Sequence, residues 1–375
     1  MTFNESLSDK FLSIPRDWME LGYKSYFDCV EGEGLKYIKF IESIEEFDLG
    51  QNAILGALDK QSLLQVVKEF YSSLMRVLSE YLDKGSPHLA YKAFDESFGI
   101  RDNIISTPRQ LGFFLDYKDM FPYAYRLRSV TNPSIDEMFH VPFHKREKIS
   151  SFRYSIPGYP TLYLSNCIYL AFRELNCPNY DDLYAVKIQQ RFSSQRESLL
   201  DMRNQPLFFQ DEYKYKYLAR WLLIMSCSVI VCYPKEPFRP EYIIPQITLQ
   251  WVKNNMLSGN NKILGVCYSS SKIDMDKGGF IGEFYNVALP IQLANKFGHC
   301  EMLKSKFWLT KPISFKDVLS QNINAKRQSQ AISINLNGTQ VDYINTDFGK
   351  IEEALEQAPF NEYYFVGETK LDHST

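Results

Sequence analysis

The chain has 375 residues, enough for two or three domains with a sizeable core. It carries 42 lysines and arginines against 45 aspartates and glutamates, and a net charge of −3 removes any electrostatic case for nucleic acid or an anionic membrane as partner. Seven cysteines (Cys29, Cys167, Cys177, Cys227, Cys232, Cys267 and Cys300) form no CxxC pair and several lie in apolar runs. They read as reduced core residues of a cytoplasmic protein, and their spacing argues against zinc.

In chain order, MTFNESLSDKFL has no basic start followed by an apolar run, so no secretory signal is expected. GEG at Gly32–Gly34 lacks the preceding strand and third glycine of a dinucleotide-binding loop and reads as a turn. A helix is expected over Leu35–Phe47. A longer one follows, with the stripe Leu63, Val66, Val67, Phe70, Leu74, Val77, Leu78 and Tyr81, stopped by Asp83-Lys84-Gly85-Ser86-Pro87. Residues 1–115 are therefore expected to be a helical domain, its stripe wide enough for an interface as well as a core. After about Phe113 come short aromatic and β-branched runs, YAYRLRSV, PTLYLS, LYAVKI, CSVIVCY and ILGVCYS, broken by Pro, Gly and Asn. These predict an α+β domain. His140 and His144 stand at i, i+4, but Pro142 between them disfavours a helix, so they are expected as loop residues near a cleft rim and no metal is expected. Trp221–Tyr233 is too short an apolar run to span a bilayer and should be buried. From about Phe307, the strands AISINL and QVDYINT and the helix Lys350–Ala358 read as an extension packed on the central domain, with no sign of a site.

The densest chemistry lies in SSFRYSIPGYPTLYLSNCIYLAFREL, Ser150–Leu175. Pro157, Gly158 and Pro160 break the chain before a short buried strand, Thr161–Ser165. Asn166 offers a cap to the helix that follows. On that helix Cys167, Ala171 and Glu174 fall at i, i+4 and i+7, so Glu174 shares a stripe with small apolar residues. A carboxylate in that position is paired or working, because burying it alone is costly. Taken by itself, a partly exposed glutamate bonded to Arg173 or a lysine is the plainer reading.

The surroundings change the balance. The core RYSIPGYPTLYLS with Ala171-x-x-Glu174, the strand AYRLR (Ala124–Arg128) before it, and ILGVCYSSS (Ile263–Ser271) and GEFYNVALP (Gly282–Pro290) after it stand in order. Together with WLLIMSCSVIV and EYIIPQITLQWV, they resemble the RES domain family over about half the chain, roughly residues 118–295. Ser155 stands where the family usually has Asn, and the family serine falls at Ser270, with Ser269 and Ser271 as neighbours one place away. The resemblance implies an ADP-ribosyltransferase-like RES domain over 116–300, preceded by the helical domain 1–115 and followed by an extension over 301–375. The helical domain resembles one that precedes RES in some members and is grouped with HEPN bundles. No arginine in residues 1–115 is followed four to six places later by a histidine, which disfavours RNase activity.

The resemblance further implies an enzyme that consumes NAD as its substrate, by hydrolysis or phosphorolysis of the nicotinamide–ribose bond, and that acts as a toxin or defence effector. Glu174 would stabilise the oxocarbenium-like charge on the ribose. Arg126 and Arg153, with Arg128 in reserve, would hold the pyrophosphate. Tyr163 would stack on the nicotinamide or bond a phosphate, with Tyr154 as the second aromatic choice, and Ser270 would orient the glutamate or hold the ribose or amide. These residues are expected to converge on one cleft. Restraint by an inhibitory protein partner, or by a homo-oligomer formed through residues 1–115, is also expected. A mono-ADP-ribosyltransferase and a non-catalytic nucleotide-binding scaffold are the alternatives.

Overall fold

The computed structural model describes residues 1–52, 56–98, 114–116, 123–191, 197–204, 211–255, 262–272, 281–282, 284–292, 297–321, 331–336 and 339–360. The fold is α+β, and its packing divides it into two units. The first comprises Met1–Leu115, Phe152–Ser155 and Leu200–Asn255; the second comprises Asp116–Ser151, Ile156–Leu199 and Met256–Thr375. Residues 152–155 and 200–255, read from sequence as part of a continuous central domain, thus belong with the N-terminal helices.

The first unit packs α1 (Tyr26–Ser43), α2 (Lys60–Leu82) and α3 (Pro87–Phe98) with α5 (Asp211–Ser228) and α6 (Ile243–Asn255). A hairpin of β1 (Asp48–Asn52) and β2 (Gly56–Asp59) joins α1 to α2. Ser25 starts α1 well before the expected Leu35, its Oγ accepting from Asp28 N at 3.1 Å. Gly32 and Gly34 therefore lie inside a helix, not in a turn. They are tolerated there because a Cβ on either would lie about 2.5 Å from a ring, Tyr23 and Tyr71 respectively. Close approach outweighs the helix penalty of glycine. The stripe from Leu63 to Leu78 is buried within the unit, with Tyr81 half-buried, so it forms core. In α5 five successive residues, Trp221 to Met225, are buried, so this stretch of the helix is apolar on every side. CSVIVCY is accordingly the end of α5 and an irregular segment, not a strand.

In the second unit six strands lie in the order β8 (Phe307–Leu309), β5 (Leu183–Gln190), β3 (Tyr123–Ser129), β4 (Thr161–Ser165), β7 (Tyr285–Pro290) and β6 (Lys262–Ser269), each antiparallel to its neighbour. Alternation gives this sheet two apolar faces. One meets Met138 and Phe139 with Leu162, Leu164, Val186, Val287 and Leu289. The other sets Tyr125, Leu127 and Ala185 against α4 (Ile168–Glu174) and α7 (Asp347–Gln357). The expected C-terminal strands appear as β9 (Ala331–Leu336) and β10 (Thr339–Asp342), which pair with each other and with Ile281–Gly282. Residues 361–375 of the expected extension lie outside the described residues.

A seven-residue helix such as α4 has little stability of its own, so its neighbours must fix it. Cys167, not Asn166, is its N-cap, with Sγ accepting from Leu170 N at 3.4 Å. Asn166 is engaged elsewhere: its Oδ1 accepts from Tyr285 N at 3.1 Å, across to β7. The α4 N-terminus also receives a carboxylate from α7, because Glu352 Oε1 accepts from Ile168 N at 2.9 Å and from Tyr343 Oη at 2.6 Å. Tyr343 Oη in turn accepts from Tyr169 N at 3.2 Å. Among the described residues no helix is long and apolar enough to cross a membrane.

Candidate active site around Glu174

Glu174 ends α4, and two strand ends of the same sheet face reach it. Ser270, just beyond β6, donates its hydroxyl to Glu174 Oε1 at 2.6 Å. Asn286, on β7, donates Nδ2 to the same oxygen at 2.7 Å. Behind them Ser165, directly opposite Asn286 on β4, donates Oγ to Asn286 Oδ1 at 2.6 Å. That bond fixes which way the amide points, so its NH2 group faces the carboxylate. The chain Ser165–Asn286–Glu174–Ser270 therefore ties β4, β7, α4 and β6 together through one carboxylate oxygen.

Glu174 Oε2 has a different environment. Lys272 Nζ lies 3.7 Å from it, and the glutamate side chain remains 32% exposed. A carboxylate held on one oxygen by two neutral donors, with a cation beside the other, is pre-aimed and has acceptor capacity left.

The other expected site residues are distributed as follows. Tyr163 stands two residues before Ser165, so alternation puts it on the Glu174 face; its ring is half-buried. Arg126 leaves β3 from the opposite face, among the residues around Phe139, and its Nη1 donates to Tyr163 O at 2.9 Å. Burial first and the neighbouring Arg128 second lower its pKa to about 9, with Tyr163 acting in the opposite sense. Its Nε has no hydrogen-bond partner among the described residues. Arg128 donates to Glu137 O, and burial likewise lowers its pKa. The structure thus brings Glu174 and Ser270 into direct contact and sets both strand arginines on the sheet's other side. Arg153 and Tyr154 belong to the first unit. There Arg153 Nη1 donates to Cys227 O at 2.8 Å and lies 5.4 Å from the Tyr242 ring centre, while Tyr154 is buried. Ser155 closes a turn by bonding both Phe152 N and Phe152 O, and accepts from Gln246.

Of the two histidines, His140 departs from the expected rim position, and His144 is exposed. His140 is buried at 1% exposure, its Nε2 accepting from Cys300 N at 3.0 Å. His144 Nδ1 accepts from Gly298 N at 3.3 Å. Asn286 and Lys272 were not singled out by sequence. The available signal for Asn286 was an amide in the middle of an otherwise apolar strand, YNVALP. No comparable signal marks Lys272, one of many surface lysines.

Comparison with known proteins gives one informative likeness. Over 316 residues the chain is 29% identical to a protein of Bacillus subtilis (strain 168) named "Putative toxin YopC", covering 78% of this chain and 69% of that protein. No family model matches the chain, and no solved structure matches it.

Proposed function

We propose that this chain is an NAD-consuming enzyme with an ADP-ribosyltransferase-like RES fold, that it breaks the nicotinamide–ribose bond by hydrolysis or phosphorolysis, and that it acts as a toxin or defence effector. The observation that carries this reading is the Glu174 carboxylate, with Oε1 held by Ser270 and Asn286 and Oε2 beside the Lys272 ammonium at 3.7 Å. The likeness to a protein named as a toxin supports the biological half.

The chemistry follows from that geometry. As the C1′–N bond breaks, its electron pair departs with neutral nicotinamide, and positive charge develops on the ribose. Oε2 of Glu174 faces that charge and stabilises it, at little reorganisation cost because its partner oxygen is already fixed. Ser270 and Asn286 then act through the glutamate. Tyr163 offers a ring on the same face for the nicotinamide. Arg126 sets the main chain of β4 beneath that tyrosine. Water or phosphate completes the reaction at C1′, giving ADP-ribose or its phosphate ester.

The test is incubation of the purified chain with NAD, with and without phosphate, followed by product identification. Nicotinamide with free ADP-ribose identifies hydrolysis, and a phosphorylated ADP-ribose identifies phosphorolysis. ADP-ribose attached to protein would redirect the reading to a transferase. NAD left intact under all of these conditions would reject it in favour of a scaffold.

A further inference from the structure

We infer that Lys272 is a positioning residue for Glu174, one that staples the end of α4 to the end of β6 and so aims Oε2; this rests on the reading of Glu174 as the acid facing the reacting ribose. Lys272 reaches the site with both its side chain and its backbone. Its Nζ donates to the main-chain oxygen of Glu174 at 2.7 Å and to Asn176 Oδ1 at 2.9 Å. Its backbone N–H donates to Ser270 Oγ at 3.1 Å, and its carbonyl accepts from Arg173 Nη2 at 3.1 Å.

Each contact removes a freedom that Glu174 would otherwise have. The last carbonyls of a helix have no donor within the helix, and an ammonium is a favourable partner for them. Beyond α4 the chain turns sharply, with Asn176 and Cys177 at φ of 61° and 54°, both in the left-handed region. Lys272 binds across that turn by holding Glu174 O and Asn176 Oδ1 together. The backbone adds a contact that any non-proline residue at this position would keep: Ser270 Oγ accepts from Lys272 N while it donates its one hydrogen to Glu174 Oε1. Lys272 thereby orders the donor on one carboxylate oxygen while its ammonium stands 3.7 Å from the other. The Lys272–Glu174 pair is about one-third exposed on both sides, so solvent screening leaves it a small part in stability. Its effect is on direction.

The experiment compares wild type, Lys272→Met and Lys272→Arg in NAD turnover and, without substrate, in the NMR signal of the Asn286 side-chain amide, which is bonded to Glu174 Oε1. Lys272→Met should lower kcat roughly 10-fold, part of the loss expected when a reacting group is misplaced, with KM nearly unchanged. Lys272→Arg, which keeps a cation and donors, should restore most of it. The Asn286 amide signal should move in Lys272→Met and return in Lys272→Arg. Wild-type kcat with an unmoved amide signal in Lys272→Met would overturn the inference, and so would a rise in KM alone, which would make Lys272 a substrate contact. If the wild-type chain leaves NAD intact, the proposed reaction fails on that measurement. The amide signal then still decides Lys272: displaced in Met and restored in Arg upholds the positioning, unmoved overturns it.

Discussion

The two ends of α4 each carry a glutamate interaction, and the two are opposite in kind. At the N-terminus Glu352 is buried at 6% exposure, and Oε1 takes the hydrogens of Ile168 N and Tyr343 Oη. It lies near the positive end of the helix dipole, where a carboxylate is favoured. At the C-terminus Glu174 stands where that dipole disfavours a negative charge, is one-third exposed, and takes donors from Ser270 and Asn286 on one oxygen, with the Lys272 ammonium 3.7 Å from the other. One carboxylate is placed where the fold gains most from it. The other is held where the fold gains least, by a polar chain spanning β4, β7 and β6. A charge kept in an unfavourable position by that much arrangement is better explained by chemistry than by stability.

The sharpest way to break this contrast is to neutralise each glutamate in turn. Glu174→Gln keeps size and hydrogen-bonding capacity but removes the charge. Turnover of NAD should fall by about 10²-fold or more, the scale of losing one preorganised electrostatic group, while NAD affinity changes little. Full turnover by that variant would show that the wrong acid has been assigned. Glu352→Ala should do the reverse. It leaves Ile168 N and Tyr343 Oη buried without their acceptor, at about 1–3 kcal/mol for each group left unsatisfied. A lower denaturation midpoint would follow, with activity per folded molecule falling much less. Equal thermal stability of Glu352→Ala and wild type would remove the basis of the comparison.

Much of this was legible in the sequence, and the misses have physical causes. The strands around the site are short aromatic and β-branched runs set off by Pro, Gly and Asn, and the order of arginine, glutamate and serine motifs pointed to Glu174 and Ser270, which are in contact. The interleaving of the units was not legible, because it depends on where α5 and α6 pack. A stretch of helix buried on every side, such as Trp221–Met225 of α5, has no polar face and hence no period to read. Gly32 and Gly34 misled for a related reason: their place in α1 is set by the rings of Tyr23 and Tyr71, which are not adjacent in a local pattern. Glu352 looked like an ordinary charge on an amphipathic helix. Only the packing of α7 against α4 makes it a cap.

A smaller effect tests the polar chain itself. Asn286→Ala removes one of the two donors on Glu174 Oε1 and leaves Ser270 as the other. The kcat for NAD should drop by roughly 10-fold, short of the 10²-fold that full misplacement of a reacting group can cost. Asn286→Asp should be worse, since it sets a second carboxylate against the first and replaces a donor by an acceptor. An Asp variant as active as the Ala variant would mean that Glu174 is not held through this amide.

The mildest test concerns the other face of the sheet, where His140 lies and no reaction is assigned. Burial is the main cause that lowers its pKa to about 3, with His299, Arg126 and Lys304 acting in the same sense and the bond to Val141 O opposing them. Its Nε2 must stay unprotonated to accept from Cys300 N at 3.0 Å, so the folded chain holds the neutral ring. In the unfolded chain the imidazole titrates near 6.5. The folded pKa is the lower of the two, so this contribution is fully present above about pH 6.5 and is lost as pH falls toward 3. The loss approaches about 1.4 kcal/mol per pH unit across that window. His140→Gln, which retains an acceptor but does not titrate, should be less stable than wild type at pH 7 and lose less between pH 7 and pH 5. Denaturant unfolding at those two values measures both slopes, and identical slopes would show that His140 is protonated in the fold without penalty.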